Sequence, residues 1–151
     1  MRKLKVYLDT SVISALFDER NPARKSLTMT FFERIENFEA FISEITIAEI
    51  ERTPDEELRD KMKEVVEQLQ ILPLSEEVEA IANEYIRYGA VPRSYPEDAY
   101  HIAVAVINGM DCLLSWNFRH IVRRKTRDIV RIVNTLNNLR QIEIITPAEL
   151  L

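Results

Sequence analysis

Cysteine is almost absent from this chain of 151 residues, which contains Cys112 alone. One cysteine cannot form an internal disulfide, and it cannot supply the several thiolates of a typical structural zinc site. Cys112 lies in the apolar run Cys-Leu-Leu, so we predict that it is a buried structural residue. Disulfide scaffolds and thiolate zinc sites are therefore excluded.

Glycine is scarce as well, because Gly89 and Gly109 are the only two in the sequence. Phosphate-binding loops and dinucleotide-binding turns need several closely spaced glycines, since the backbone must approach the phosphates. Two isolated glycines cannot form such a loop. The usual nucleotide-cofactor functions are therefore excluded.

Long hydrophobic runs are missing. The longest stretch without a charged side chain extends from Ala99 to Met110, and it is shorter than the roughly 20 apolar residues of a membrane helix. Asp9 interrupts the first apolar run before a signal-peptide core is complete. With 46% hydrophobic residues, we expect one soluble, cytoplasmic domain over residues 1–151, without membrane association.

An excess of positive charge is also absent, since the formal net charge is −5. General polyanion binders use many Lys and Arg residues to neutralise phosphates, so this balance argues against that class. The charge is unevenly distributed, however. The segment from Arg119 to Arg131 has six basic residues and Asp128 as its single acid, which predicts a local basic strip.

The stretch from Lys5 to Ile13 is the most informative part of the chain. Val6, Tyr7 and Leu8 are typical of a buried strand, and Asp9 follows them directly. An ionised Asp in such a place needs a cation or hydrogen bonds. Capping of the next helix is the simpler alternative, because Asp is common in strand-to-helix turns.

Strands and helices are predicted to alternate along the rest of the chain, which indicates an α/β fold. Parallel strands joined by right-handed helical crossovers form a three-layer α/β/α sandwich with a central, mainly parallel sheet. One helix is predicted from Pro22 to about Asn37, and another from Asp55 to about Gln70. The apolar segments predict strands at 6–8, 40–43, 71–74, 112–115 and 141–145.

Four oxygen-bearing side chains are predicted to converge at one edge of this sheet, because ligands of open α/β sheets bind at the carboxyl ends of the strands. Asp9 follows the first strand, and Asn117 follows the fourth. Glu49 lies on the helix after the second strand, while Asp98 begins the buried helix before the fourth. Asp111 precedes its strand and is expected at the opposite end.

Crowded carboxylates repel one another and raise each other's pKa, and a hard divalent cation relieves this repulsion. All-oxygen ligation favours Mg²⁺ or Mn²⁺ over zinc. Such an ion keeps several waters and contacts substrate phosphates, so the predicted chemistry is attack of a metal-activated water on phosphorus.

The sequence resembles the PIN-domain nucleases over essentially its whole length, and within them the VapC-like toxin branch. The resemblance depends on four segments in this order: Val-Tyr-Leu-Asp-Thr-Ser-Val-Ile at 6–13, Ile-Ala-Glu-Ile at 47–50, Glu-Asp-Ala-Tyr-His-Ile-Ala at 97–103 and Leu-Leu-Ser-Trp-Asn-Phe at 113–118.

This resemblance implies a Mg²⁺/Mn²⁺-dependent endoribonuclease, the toxin of a toxin–antitoxin pair, with RNA as substrate, an antitoxin as partner and a homodimeric state. Asp9, Glu49 and Asp98 would be the metal ligands. The fourth family position is commonly Asp, and here it is Asn117. An amide supplies an oxygen without a charge, so we expect one tightly held ion instead of two.

Several neighbouring residues have two interpretations each. Ser11 either binds a ligand or water or caps a helix, and the basic side chains Arg119, Arg123 and Arg124 either contact RNA or form a solvated face. His101 is predicted to be a hydrogen-bonded structural residue. His120 is predicted either to contact RNA or to pack.

Two other functions compete with the nuclease. One is a non-catalytic PIN-like module that binds RNA or protein, which would not be stabilised by metal. The other is a phosphate-transferring hydrolase with an aspartyl nucleophile, which we rank lower because Ser11 stands where such enzymes commonly have a second Asp. For dimerisation, the predicted helix stripe from Leu27 to Phe38 is the candidate contact, and ordinary core packing is the alternative.

Overall fold

A five-stranded sheet forms the centre of the fold in the computed structural model, which describes residues 2–151. The strands are β1 (Lys5–Leu8), β2 (Glu39–Ser43), β3 (Gln70–Leu72), β4 (Cys112–Leu114) and β5 (Glu143–Ile145). The helices are α1 (Thr10–Ala15), α2 (Pro22–Glu33), α3 (Glu44–Glu51), α4 (Glu56–Val66), α5 (Glu76–Arg87), α6 (Pro96–Ile107) and α7 (Arg124–Leu136). Short 3₁₀ turns cover Ile35–Asn37 and Pro147–Leu150.

The strand order is β3-β2-β1-β4-β5, and every pairing is parallel. The first strand therefore lies in the middle, with Tyr7 opposite Phe41 on one side and opposite Leu113 on the other. Because all strands run in one direction, all their carboxyl ends meet at one edge.

Side chains that alternate along the strands produce two separate cores. Tyr7 and Leu113 belong to the core formed with α5, α6 and α7. Leu8 and Leu114 point to the opposite face and belong to the core formed with α1, α2, α3 and α4. The predicted three-layer α/β/α sandwich is confirmed.

α6 is a buried helix, in which every residue from His101 to Val106 is buried. The prediction that this helix is apolar nearly all round because it is buried is confirmed. Cys112 is buried too, and burial raises the pKa of its thiol to about 11. Cys112 is thus an inert core residue, as predicted.

The segment from Pro22 to Asn37 differs from the predicted single helix. α2 ends at Glu33, and Ile35 begins a 3₁₀ turn that changes the direction of the chain. Leu27 is 38% exposed instead of buried, because Thr28 faces inward and accepts a hydrogen bond from the Trp116 indole at 2.9 Å.

The third strand and its preceding helix are also shorter than predicted. α4 ends at Val66, four residues earlier than expected, because β3 already begins at Gln70. The last strand begins at Glu143 instead of Gln141. No helix within residues 2–151 is long and apolar enough to cross a membrane.

Candidate active site

Asp9 is positioned by the junction between β1 and α1. It is the N-cap of α1, and its Oδ1 accepts a hydrogen bond from the backbone N–H of Val12 at 3.3 Å. The hydroxyl of Ser11 donates to the same oxygen at 2.5 Å, and the hydroxyl of Ser115, just past β4, donates to Oδ2 at 2.5 Å. Both oxygens of this carboxylate are therefore oriented by neutral donors.

Burial is the largest influence on Asp9, whose exposed fraction is 3%. It raises the pKa of the carboxyl above its usual range, although His101, Ser11 and Ser115 act in the opposite direction. The negative charge of Glu49 raises this pKa further. A cation at this position would offset both effects.

Glu49 lies on α3, and its Oε1 accepts two hydrogen bonds. One comes from the Thr10 hydroxyl at 2.7 Å, and the other connects it to Nε2 of His101 at 2.5 Å. Burial raises the pKa of Glu49, but these hydrogen bonds and the charge of His101 outweigh it, and the pKa is lowered. Glu49 is therefore ionised, and Nε2 of His101 carries the proton of that bond.

His101 is the buried group around which the acids are arranged. Burial lowers its pKa, whereas Glu49, Asp9 and Asp98 raise it, and the net shift is upward. Its Nδ1 is hydrogen-bonded to the Tyr7 hydroxyl at 2.6 Å, and that hydroxyl is hydrogen-bonded to Ser43 at 2.7 Å. The prediction that His101 is hydrogen-bonded is confirmed.

Asp98 lies in the first turn of α6, where its Oδ2 is 2.9 Å from Nδ1 of His120. Burial raises the pKa of Asp98, while the hydrogen bond to His120 and the charge of His101 lower it, and the net shift is upward. The His120 ring also packs against Tyr95, with 4.4 Å between ring centroids. His120 therefore packs within the fold, and its contact with RNA stays a prediction.

Asn117 follows β4 as predicted, but its side chain belongs to a turn. Its Oδ1 accepts from the backbone N–H of His120 at 3.0 Å, and its backbone carbonyl accepts from Ile121 and Val122. The amide oxygen predicted as a fourth ligand is thus already hydrogen-bonded, and it holds the loop that carries His120.

The donor chemistry fits a hard cation, because three carboxylates approach the same edge of the sheet from β1, α3 and α6. Within residues 2–151, no group of three acids, histidines or cysteines has the geometry of a complete metal site. Mg²⁺ needs only one or two protein carboxylates, since waters and substrate phosphates complete its octahedral shell. The residues present therefore fit such an ion.

The predicted substrate-binding residues differ in their surroundings. Ser11 does not cap α1, because Asp9 is the N-cap; its hydroxyl donates to Asp9 and accepts from the Trp116 backbone N–H at 2.8 Å. Its binding of a ligand or water stays a prediction. Arg119 and Arg124 are exposed. Arg123 is half-buried and donates to the Thr126 hydroxyl at 2.7 Å and to the Ala90 carbonyl at 3.2 Å.

Thr10 and Ser115 were not among the predicted site residues, although both hydroxyls orient the acids. Their positions just after β1 and β4 could have indicated this role, since the carboxyl ends of the strands meet at this edge. The contact of Tyr95 and His120 with Asp98 had no such signal, because it depends on how two loops fold back.

This chain is similar to one known protein family and to solved structures. A family model of the PIN domain matches residues 6–125, whereas no curated protein matches the sequence. The VapBC2 structure from Rickettsia felis, bound to a DNA fragment from its promoter, is similar with a TM-score of 0.61 at 13% identity, covering 93% of this chain and 97% of that one.

The VapC20 toxin of Mycobacterium tuberculosis, which cleaves the sarcin–ricin loop, has a TM-score of 0.56 at 17% identity, covering 76% of this chain and 92% of that one. At such low identities these two likenesses concern the fold. The family model, in contrast, spans most of the sequence from β1 into α7. The chain therefore belongs to the PIN-domain family.

Proposed function

We propose that this protein is a Mg²⁺- or Mn²⁺-dependent endoribonuclease that hydrolyses RNA phosphodiesters. The observation that carries the proposal is the convergence of Asp9, Glu49 and Asp98, from three separate parts of a PIN-domain chain, around His101. Nothing in an ordinary core needs three acids at one place, because their mutual repulsion destabilises the folded state.

Asp9, Glu49 and Asp98 would hold the ion. When bound, Mg²⁺ or Mn²⁺ supplies a Lewis acid that lowers the pKa of water and offsets charge on the phosphodiester. The protein's own contribution is orientation: Ser11 and Ser115 fix the Asp9 carboxylate, while Thr10 and His101 fix Glu49 through a single oxygen.

We further propose that the protein is the toxin of a toxin–antitoxin pair, with a cognate antitoxin as partner and the cytoplasm as its location. The support is the likeness in fold to a VapBC structure and to the VapC20 toxin. A homodimer is also part of this proposal. The candidate contact includes α2, on which Leu27 and Met29 are 38% and 46% exposed.

The direct test measures cleavage of structured RNA with Mg²⁺ or Mn²⁺ by the native protein and by Asp9→Asn and Asp98→Asn. We expect both variants to lose at least about 100-fold in rate, because each removes one charge from the ion site. Asp111→Asn is the matched control, since Asp111 lies at the opposite end of β4 and bonds Arg2. Equal cleavage by all four proteins contradicts the proposal.

A non-catalytic PIN-like module that binds RNA or protein is the second candidate, and Asn117 is the observation that favours it. Its amide takes the place of an acid, and its oxygen already accepts from His120. A thermal-melt titration with Mn²⁺ separates the two functions. The nuclease predicts a melting temperature that rises with Mn²⁺ concentration in the native protein and does not rise in Asp9→Asn.

A further inference from the structure

We infer that the RNA backbone runs from the candidate active site into a basic groove formed by Arg87, Tyr88, Arg93, Arg123 and Lys125. This inference rests on the proposed ribonuclease function. It assigns a phosphate-binding surface to the segment between α5 and α6, which no sequence pattern had connected with RNA, and joins that segment to the basic strip after Asn117.

The charge of the groove is opposite to that of the whole protein. Its volume is about 480 Å³. Within residues 2–151, four cationic side chains line it and no acid does. The net charge of the whole chain, in contrast, is −5. A second groove of about 550 Å³ beside α3 is lined by four glutamates and one arginine. A polyanion is therefore attracted to one of these surfaces and repelled by the other.

The groove residues are close to the site residues in the chain, and one ring contact connects the two. Arg93 is two residues before Tyr95, whose ring packs on His120, and His120 bonds Asp98. On the opposite wall, Arg123 follows His120 by three residues. The guanidinium of Arg123 donates to the Ala90 carbonyl at 3.2 Å, which holds the two walls together.

The cations of the groove divide into one fixed and three exposed side chains. Arg123 is held by its bonds to Thr126 and Ala90, so its charge has a fixed position. Arg93 and Lys125 are exposed. Arg87 is exposed as well, and it shares its charge with Glu84 at 3.6 Å.

An aromatic surface accompanies these charges, since the Tyr88 ring is 48% exposed and lies under the Arg87 guanidinium at 5.6 Å. Single-stranded RNA is bound by this combination, because phosphates contact Lys and Arg while bases stack on aromatic rings. α7 begins at Arg124 without an acid in its first turn, and Asp128, one turn later, pairs with Arg124 at 3.7 Å.

The test compares the double variant Arg93→Ala/Lys125→Ala with Lys61→Ala/Lys63→Ala. Both remove two positive charges from exposed positions, but Lys61 and Lys63 lie on α4, in the opposite layer. Binding of a fluorescein-labelled single-stranded RNA is measured by anisotropy in EDTA, which prevents cleavage, over a series of salt concentrations. Cleavage with Mn²⁺ is measured separately, and circular dichroism checks folding.

Removing one cation that binds a phosphate lowers the salt slope of single-strand binding by about 0.7, which corresponds to about fivefold in affinity at 0.1 M salt. We expect the groove variant to bind about 25-fold more weakly, with a slope lower by about 1.4, and the α4 variant to bind like the native protein.

Equal binding and equal slopes in the two double variants, together with metal-dependent cleavage by the native protein, overturn the groove and leave the ribonuclease intact. If the native protein neither binds nor cleaves RNA, the ribonuclease and the groove are both wrong. If the native protein binds RNA more tightly than the groove variant does but does not cleave it with any metal, the groove is supported and the catalytic function is contradicted.

Discussion

Single residues determine how the acids of the site are oriented, and Tyr7 has an indirect part in this. Its hydroxyl, whose pKa burial raises well above the usual range, remains neutral and is hydrogen-bonded to His101 at 2.6 Å. His101 in turn holds Glu49 at 2.5 Å. Tyr7 is thus a positioning residue, two hydrogen bonds away from the carboxylate.

We predict that Tyr7→Phe lowers the rate of RNA cleavage by about 10- to 100-fold, because the partner that fixes a ligand's orientation has effects of that size. The Mn²⁺ concentration that gives half-maximal activity should rise as well. The variant should also lose about 1–3 kcal/mol of stability, since Nδ1 of buried His101 loses its partner.

Tyr85→Phe is the matched control for this prediction. Tyr85 is equally buried on the same side of the sheet. Its hydroxyl donates to Asn134 on α7, which carries none of the three acids. We expect a similar loss of stability and an unchanged half-maximal Mn²⁺ concentration. If both variants shift the Mn²⁺ dependence alike, Tyr7 acts through general stability and not through Glu49.

The positions of Asp9 and Asp98 at this edge of the sheet could be predicted because each follows from a local pattern. Asp9 comes directly after an apolar strand, and Asp98 opens an apolar helix, so both positions are visible in the sequence. The turn made by Asn117 could not be predicted in this way. Its amide oxygen accepts from a backbone N–H three residues later, a choice that depends on the path of the loop.

At the scale of the secondary-structure elements, five of the seven helices in residues 2–151 begin after a single capping side chain. α5 begins after Ser75, whose hydroxyl accepts from the backbone N–H of Val78 at 3.2 Å. Ser75 followed by two acids is a typical start of a helix, and this pattern is visible in the sequence. Ser75 itself is exposed, so capping is its main contribution to stability.

We predict that Ser75→Ala lowers the free energy of unfolding by about 1 kcal/mol, and the melting temperature by about 2–4 °C for a domain of this size. Urea unfolding and thermal melts measure both. Ser75→Asp is the control, because Asp caps helices about as well as Ser. A loss in Ser75→Asp equal to that in Ser75→Ala would indicate that packing, and not capping, is responsible.

The order of strands and helices could be predicted because hydrophobic periodicity distinguishes the buried strands from α6. The path after α2 could not. Thr28 takes an inward position because its hydroxyl accepts from the Trp116 indole, 88 residues away in the chain. Such a long-range hydrogen bond overrides the local apolar stripe that included Leu27.

At the scale of the whole molecule, Asp111 joins distant parts of the chain at the edge opposite the site. Its carboxylate accepts from the backbone N–H of Lys5 at 2.8 Å and from the Arg2 guanidinium through both oxygens at 3.0 Å. Arg140 approaches it at 3.5 Å. The hydrogen bond to Arg2 is the largest cause of the lowered pKa of Asp111.

We predict that Asp111→Asn lowers the free energy of unfolding by about 1 kcal/mol at pH 7. Because the pKa is lower in the folded state, this stabilisation is complete above the unfolded value of about 4 and is lost as the pH falls through the folded value. Urea unfolding from pH 7 to pH 3 checks this. A difference that stays constant over that range would mean that the charge of Asp111 is not its source.

The position of β1 in the middle of the sheet has a consequence for synthesis of the protein. β1 is the first strand to leave the ribosome, yet its neighbour β4 begins only at Cys112. Ser115, which bonds Asp9, and His120, which bonds Asp98, emerge later still. A nascent chain that ends before β4 has all three acids but lacks the neighbouring strand of β1 and the partners Ser115 and His120. Most of this chain has therefore left the ribosome before the candidate nuclease site is complete.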